Sequence, residues 1–130
     1  MKCFMKYIVK KLLQNKVYNK YKIRYFFDYS AGSCLWSGNE LTKKKYGYPI
    51  LNFEKLGLSN TTIQEITHLV SVYETSFSNE NPQHLAWTIK QCANFDFNSK
   101  KLFEKISNEL PESFELIYEM HSFLEIKQNE

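Results

Sequence analysis

From Tyr21 to Tyr29 the chain alternates, with Tyr21, Ile23, Tyr25, Phe27 and Tyr29 on one side and Lys22, Arg24, Phe26 and Asp28 on the other. A period of two is that of a half-buried strand, here with one wholly apolar face and one mixed face. Ser30-Ala31-Gly32-Ser33 supplies small turn-forming residues, and Cys34-Leu35-Trp36 resumes an apolar run, so the stretch Tyr21–Ser37 reads as a β-hairpin. An aromatic face of this size needs a covering layer, and the downstream chain reads mainly as helices able to provide it.

Asn39 caps a short helix from Glu40 to about Tyr46, with Lys43–Lys45 in its last turn and Gly47 as its stop. Tyr48-Pro49-Ile50-Leu51-Asn52-Phe53 is extended, either as an edge strand or as a segment running along the core. Ser59 caps the next helix, with Leu58 and Ile63 placed as a staple and Ile63, Ile66, Val70 and Tyr73 as its apolar stripe. Asn81-Pro82 then opens a shorter helix through Leu85, Ile89 and Cys92. Phe95-Asp96-Phe97-Asn98 interrupts it, and a further helix runs from Asn98 or Ser99 to a stop at Pro111. Phe114, Leu116, Tyr118 and Met120 alternate with Glu115, Ile117, Glu119 and His121, which predicts a last strand antiparallel to part of the hairpin. Phe123–Ile126 extends this strand or folds over it. The expected fold class is α+β: a small antiparallel β-sheet, made of the N-terminal hairpin plus the C-terminal strand, covered by three or four helices.

The 130 residues suit a single domain, 1–130, and 43% hydrophobic content excludes a disordered chain. Charge is segregated. Residues 1–24 carry eight Lys/Arg and no acid, whereas residues 25–130 carry nine Lys/Arg against fourteen Asp/Glu, a balance of −5. Residues 1–20 therefore form a basic leader to an acidic body. In that leader Phe4, Met5, Ile8, Val9, Leu12 and Leu13 fall on one side of a helix and Lys2, Lys6, Lys10 and Gln14 mostly on the other, with a strand through Met5–Val9 as the alternative. No apolar run approaches the roughly 20 residues that span a bilayer. Lysines break the apolar part of the opening and no cleavage site comes after it, so the expectation is an unexported, cytoplasmic protein. Cys3, Cys34 and Cys92 are odd in number and contain no CxxC pair, which speaks for reduced thiols rather than a disulfide framework or a zinc site.

Compact catalytic motifs are missing from the sequence. His68, His84 and His121 stand alone, and Gly32, Gly38, Gly47 and Gly57 form neither GxGxxG nor a P-loop. The expectation is a non-enzyme that uses no metal or other cofactor. The aromatic and acidic residues near loops and element ends, Asp28, Trp36, Tyr46, Tyr48, Glu54, Glu74 and Trp87, are the candidate contact residues for a protein partner. Trp and Tyr anchor interfaces and carboxylates complement a basic surface, although Trp36 and Tyr48 equally suit a core. Two other readings stay open. One is a nucleic-acid-binding or regulatory module using the basic leader. The other is a small enzyme dependent on Cys34.

Asp28–Trp36 (DYSAGSCLW), Asn39, Gly47-Tyr48-Pro49 and Tyr73-Glu74-Thr75-Ser76 succeed one another in an order that resembles a group of small bacterial immunity proteins. These belong to polymorphic toxin systems, including those of contact-dependent growth inhibition. The resemblance spans about Tyr25–Glu119. It implies a cytoplasmic inhibitor that binds the C-terminal effector domain of a cognate toxin, commonly a nuclease acting on transfer RNA or DNA. Nuclease clefts are basic, and an acidic inhibitor body suits them electrostatically.

Overall fold

The computed structural model describes residues 20–81 and 83–130. The helix or strand read over residues 1–18, Cys3 and Pro82 lie outside the described residues. Alternation in the opening stretch produces strand β1, Tyr21–Tyr25, with Tyr21, Ile23 and Tyr25 buried and Lys22 and Arg24 half-exposed. Strand β2, Leu35–Ser37, returns antiparallel to it, Tyr25 opposite Leu35 and Ile23 opposite Ser37. Phe27 stays in the core beyond the strand end, but Tyr29 does not. There the backbone turns: the Ala31 N–H donates to the Asp28 carbonyl, and Ser30 adopts a φ of 58°.

Helix α1, Glu40–Tyr46, starts where the Asn39 side chain accepts the Thr42 N–H. Past Gly47 the chain runs along the outer edge of β2, Ser37 N–H donating to the Tyr48 carbonyl and Ile50 N–H to that of Leu35. Ile50 itself is fully buried, so the segment both lengthens the sheet edge and fills the core. A 3-10 turn at Phe53–Leu56 leads to helix α2, Asn60–Tyr73, capped by Ser59 and burying Ile66, Leu69 and Tyr73.

The next segment differs from the sequence reading. Residues 83–88 are irregular, and a single helix α3 spans Ile89–Glu109. It begins with a capping box in which Thr88 and Gln91 exchange side-chain and backbone hydrogen bonds. Residues 95–98 do not interrupt it. Cys92, Phe95, Ser99, Leu102 and Ile106 form one buried stripe, in which the Ser99 hydroxyl donates to the Asp96 carbonyl at 3.1 Å and the Ser99 carbonyl accepts from the Tyr25 hydroxyl at 2.7 Å. At about 1.5 Å per residue α3 is about 31 Å long. It leads back to the starting end of β1, where Tyr21 N–H donates to the Ser113 carbonyl at 3.0 Å.

Strand β3, Phe114–Tyr118, therefore runs parallel to β1, Tyr21 opposite Phe114 and Tyr25 opposite Tyr118, in a sheet ordered β2-β1-β3. The antiparallel expectation for this strand is corrected. Two helices separated by a break imply one more reversal than the single helix makes, and the long helical return is the crossover that parallel pairing requires. The α+β class stands, with a mixed sheet. Helix α4, Phe123–Gln128, folds over rather than extending β3. Its first N–H groups, on Phe123 and Leu124, donate to the Asp96 carboxylate at 2.8 and 3.0 Å, and the Ser122 hydroxyl joins them at 2.9 Å.

These tethers set two expected outcomes. Asp96→Ala strips three hydrogen bonds from the start of α4 and should cost about 1–3 kcal/mol, read by urea unfolding, with α4 amides losing exchange protection first. Glu109, at the end of α3, accepts from Ser59 N–H at 2.8 Å and from the Thr62 hydroxyl at 2.5 Å. Burial raises its pKa, but the Ser59 N–H, the Thr62 and Ser59 hydroxyls and nearby Lys105 together bring it below the ordinary 4.5. A carboxyl that is more acidic folded than unfolded adds stability above its unfolded pKa and loses it as pH falls through the folded value. Glu109→Gln should thus lower Tm at pH 7, and the gap from wild type should close in melts taken below the ordinary carboxylate range.

Candidate functional site: an acidic and aromatic recess beside the hairpin loop

Asp28 and Glu74, 46 positions apart in sequence, lie on adjoining segments because the β1–β2 loop lies against the end of α2. The Ser30 N–H donates to Glu74 Oε1 at 2.8 Å, and Asp28 Oδ1 accepts the Tyr29 N–H at 2.8 Å. Gly32 sits at a φ of 72°, a left-handed conformation that strains other residues, and a Cβ there would lie 3.7 Å from Leu51 Cδ2. The loop is thus pinned on one flank by Glu74 and backed on the other by Leu51. Tyr29, Glu74, Phe77, Ser78 and Asn79 enclose a recess of about 380 Å³.

Tyr29 is 61% exposed and meets Phe77 edge-on at 6.4 Å. Neither Asp28 nor Glu74 forms an ion pair among the described residues. Their field reaches Tyr73: burial first, then the charges of Asp28 and Glu74, push its hydroxyl up to about 12. Chemically the arrangement is a negative recess rimmed by aromatic rings. It suits a cationic side chain, which gains from both charge and ring faces.

The other sequence candidates lie elsewhere. Trp36 is buried, stacked on Phe26 at 4.7 Å, with its indole N–H donating to the Phe26 carbonyl at 3.0 Å. Tyr48 is 44% exposed and edge-on to Trp36 at 5.2 Å, with Lys43 over its ring. Tyr46 is half-buried against Tyr21 and Phe114 at the opposite end of the sheet from the hairpin loop. Glu54 is exposed in the 3-10 turn and shares a shallow recess with Leu51. Trp87 is only 4% exposed. It donates to Thr75 Oγ1 at 2.9 Å and packs on Phe95 and Phe123, so it is a core residue. Tyr29, Leu51 and Phe77 belong to the recess and its surround and were not singled out from the sequence. For Tyr29 the available signal was the Ser-Ala-Gly run after it, which ends the alternation before the tyrosine can turn inward.

A family model described as Serratia CdiI immunity protein-like matches residues 21–121. No curated protein sequence matches the chain. No helix among the described residues is long and apolar enough to cross a membrane, and no cluster of three or more His, Cys, Asp or Glu side chains there could hold a metal ion.

Neither thiol among the described residues is exposed as a nucleophile would need to be. Cys34 and Cys92 are buried and free, and burial pushes both thiols up, Cys34 very far. With Cys3 replaced by serine, the native protein should react with a disulfide reagent at neutral pH at least about 100-fold more slowly than the same chain unfolded in guanidinium. Fast labelling of native Cys34 would restore the cysteine-enzyme reading.

Proposed function

The chain belongs to the Serratia CdiI immunity protein-like family, and from that premise we propose that it neutralises a cognate toxin domain by covering that domain's active site or substrate cleft. The toxin of this proposal is a nuclease, with transfer RNA a candidate substrate, and inhibition needs binding alone. The observation that carries the contact surface is the recess lined by Tyr29, Glu74 and Phe77, with Asp28 in the adjoining loop: two carboxylates without an ion-pair partner among the described residues stand near a largely exposed tyrosine. A nuclease cleft built to hold phosphates is positively charged, and an acidic patch entering it both docks and repels the substrate. Tyr29 supplies what charge alone does not, a stiff amphipathic anchor of the kind that dominates interface energetics. Tyr48 and Glu54, exposed on neighbouring surfaces, extend the proposed contact, whereas Trp36 and Trp87 act on it only through the scaffold. The proposed site of action is the cytoplasm of the producing cell.

Co-expression with the toxin encoded immediately upstream tests the reading. The chain should restore growth, and a chain that leaves cells dying would overturn it. Tyr29→Ala should weaken toxin affinity by about 10- to 100-fold, or about 1.4–2.8 kcal/mol, with little change in Tm. Glu74→Gln keeps an acceptor for the Ser30 N–H while removing the charge. It should slow association chiefly at low salt, as stopped-flow mixing with the toxin domain would read.

A further inference from the structure

A groove of about 700 Å³ opens beside the acidic recess, and Phe77 lines both. We propose that the two cavities form one receptor for a toxin segment in which a large apolar side chain stands next to an arginine, the apolar group entering the groove and the guanidinium the recess. This rests on the toxin-neutralising reading and adds the chemistry of the recognised segment.

The groove is walled by Phe26, Phe77, Leu85, Met120, Phe123 and Ile126, which come from the chain just after β1, the α2–α3 connection, the β3–α4 connection and α4. Ile126 is 42% exposed, a large aliphatic group at a concave surface, where burial by a partner is favourable. Charges at the groove are matched to each other: Arg24 Nε donates to Glu119 Oε2 at 2.6 Å, and the guanidinium lies 5.0 Å from the centre of the Phe26 ring. Arg24 and Glu119 thus face an apolar occupant as a pair rather than as lone charges, and Gln83 and His121 complete the polar part of the lining. The recess is the opposite case, because Glu74 in its lining and Asp28 in the adjoining loop lack a cation among the described residues.

Charge complementarity therefore selects a basic residue at the recess and an apolar one at the groove. Arginine fits the recess better than lysine. Its planar fork can pair with a carboxylate and lie on the Tyr29 or Phe77 ring at once, whereas an ammonium is a compact, strongly hydrated charge. The Glu74 carboxylate has about four acceptor positions, so the Ser30 N–H does not exhaust it. Tyr73 also lines the groove and directly precedes Glu74 in the chain, so the backbone itself joins the two subsites.

The probe is the toxin domain encoded immediately upstream, titrated calorimetrically against full-length wild type, Ile126→Glu, Met120→Ala and Glu74→Gln, each first checked by thermal melting. Ile126→Glu and Met120→Ala should each bind at least about 10-fold more weakly when compared well below their own Tm, since Met120 also packs against the core. Replacing toxin arginines by lysine one at a time should reveal one whose loss costs wild type at least about 10-fold and Glu74→Gln less than about 3-fold. If both groove variants bind as wild type while Glu74→Gln is weakened, the two-part receptor is wrong and the inhibitory role stands. The receptor is equally wrong, and the role equally intact, if every Arg→Lys change acts alike on wild type and Glu74→Gln. If wild type does not bind the toxin domain, both proposals fall.

Discussion

The hydroxyl of Tyr25 holds the molecule together at its centre. Tyr25 is fully buried in the middle strand, and burial pushes its pKa well above the ordinary tyrosine value, so it remains a donor at all physiological pH. It donates to the Ser99 carbonyl halfway along α3, while its ring touches Phe27, Phe103 and Tyr118 at 5.4–6.0 Å. A buried phenol is costly without a partner, and the Ser99 carbonyl supplies one. The contact fixes how α3 lies on the sheet, and α3 in turn decides where β3 enters and in which direction.

From this centre an aromatic network extends toward the hairpin loop. Phe27 contacts Tyr73 and Phe95, and Phe95 contacts Trp87 and Phe123, with ring centroids 4.9–5.6 Å apart. Each such pair adds about 0.5–1.5 kcal/mol beyond area burial. The stiffness matters for the recess above it, since Tyr73 is the last residue of α2 and Glu74 the next. A loop carried on a rigid aromatic base keeps its carboxylates and Tyr29 in place before a partner arrives, which lowers the ordering cost of association.

The residues that carry the family likeness sit at seams of the fold. Glu74 holds the hairpin loop, Thr75 accepts the Trp87 indole N–H, the Ser33 hydroxyl donates to the Ile50 carbonyl at 2.6 Å, and the Trp36 indole N–H ties back to Phe26. The motif is largely a description of how the loop, the Gly47-Tyr48-Pro49 segment and the end of α2 are joined. Tyr29 and Leu51 face solvent beside these joints.

Local patterning determined much of this in the sequence. The period of two fixed β1, side-chain caps at Asn39 and Ser59 fixed where α1 and α2 start, and Asp28 and Glu74 were legible as acids at loop ends. These depend on neighbours within a few residues, which a sequence displays directly. Three things needed the third dimension. Residues 95–98 read as a break because Ser99 falls on the buried stripe and Phe97 on the exposed face, and only the folded helix shows the Ser99 hydroxyl satisfied by the Asp96 carbonyl. The direction of β3 depended on that unbroken helix. The approach of the Asp28 loop to Glu74, and the placement of Trp87 in the core but Tyr29 outside, depended on how α2 docks against a loop distant in sequence. Periodicity assigns a residue to a face, whereas packing alone decides what that face meets.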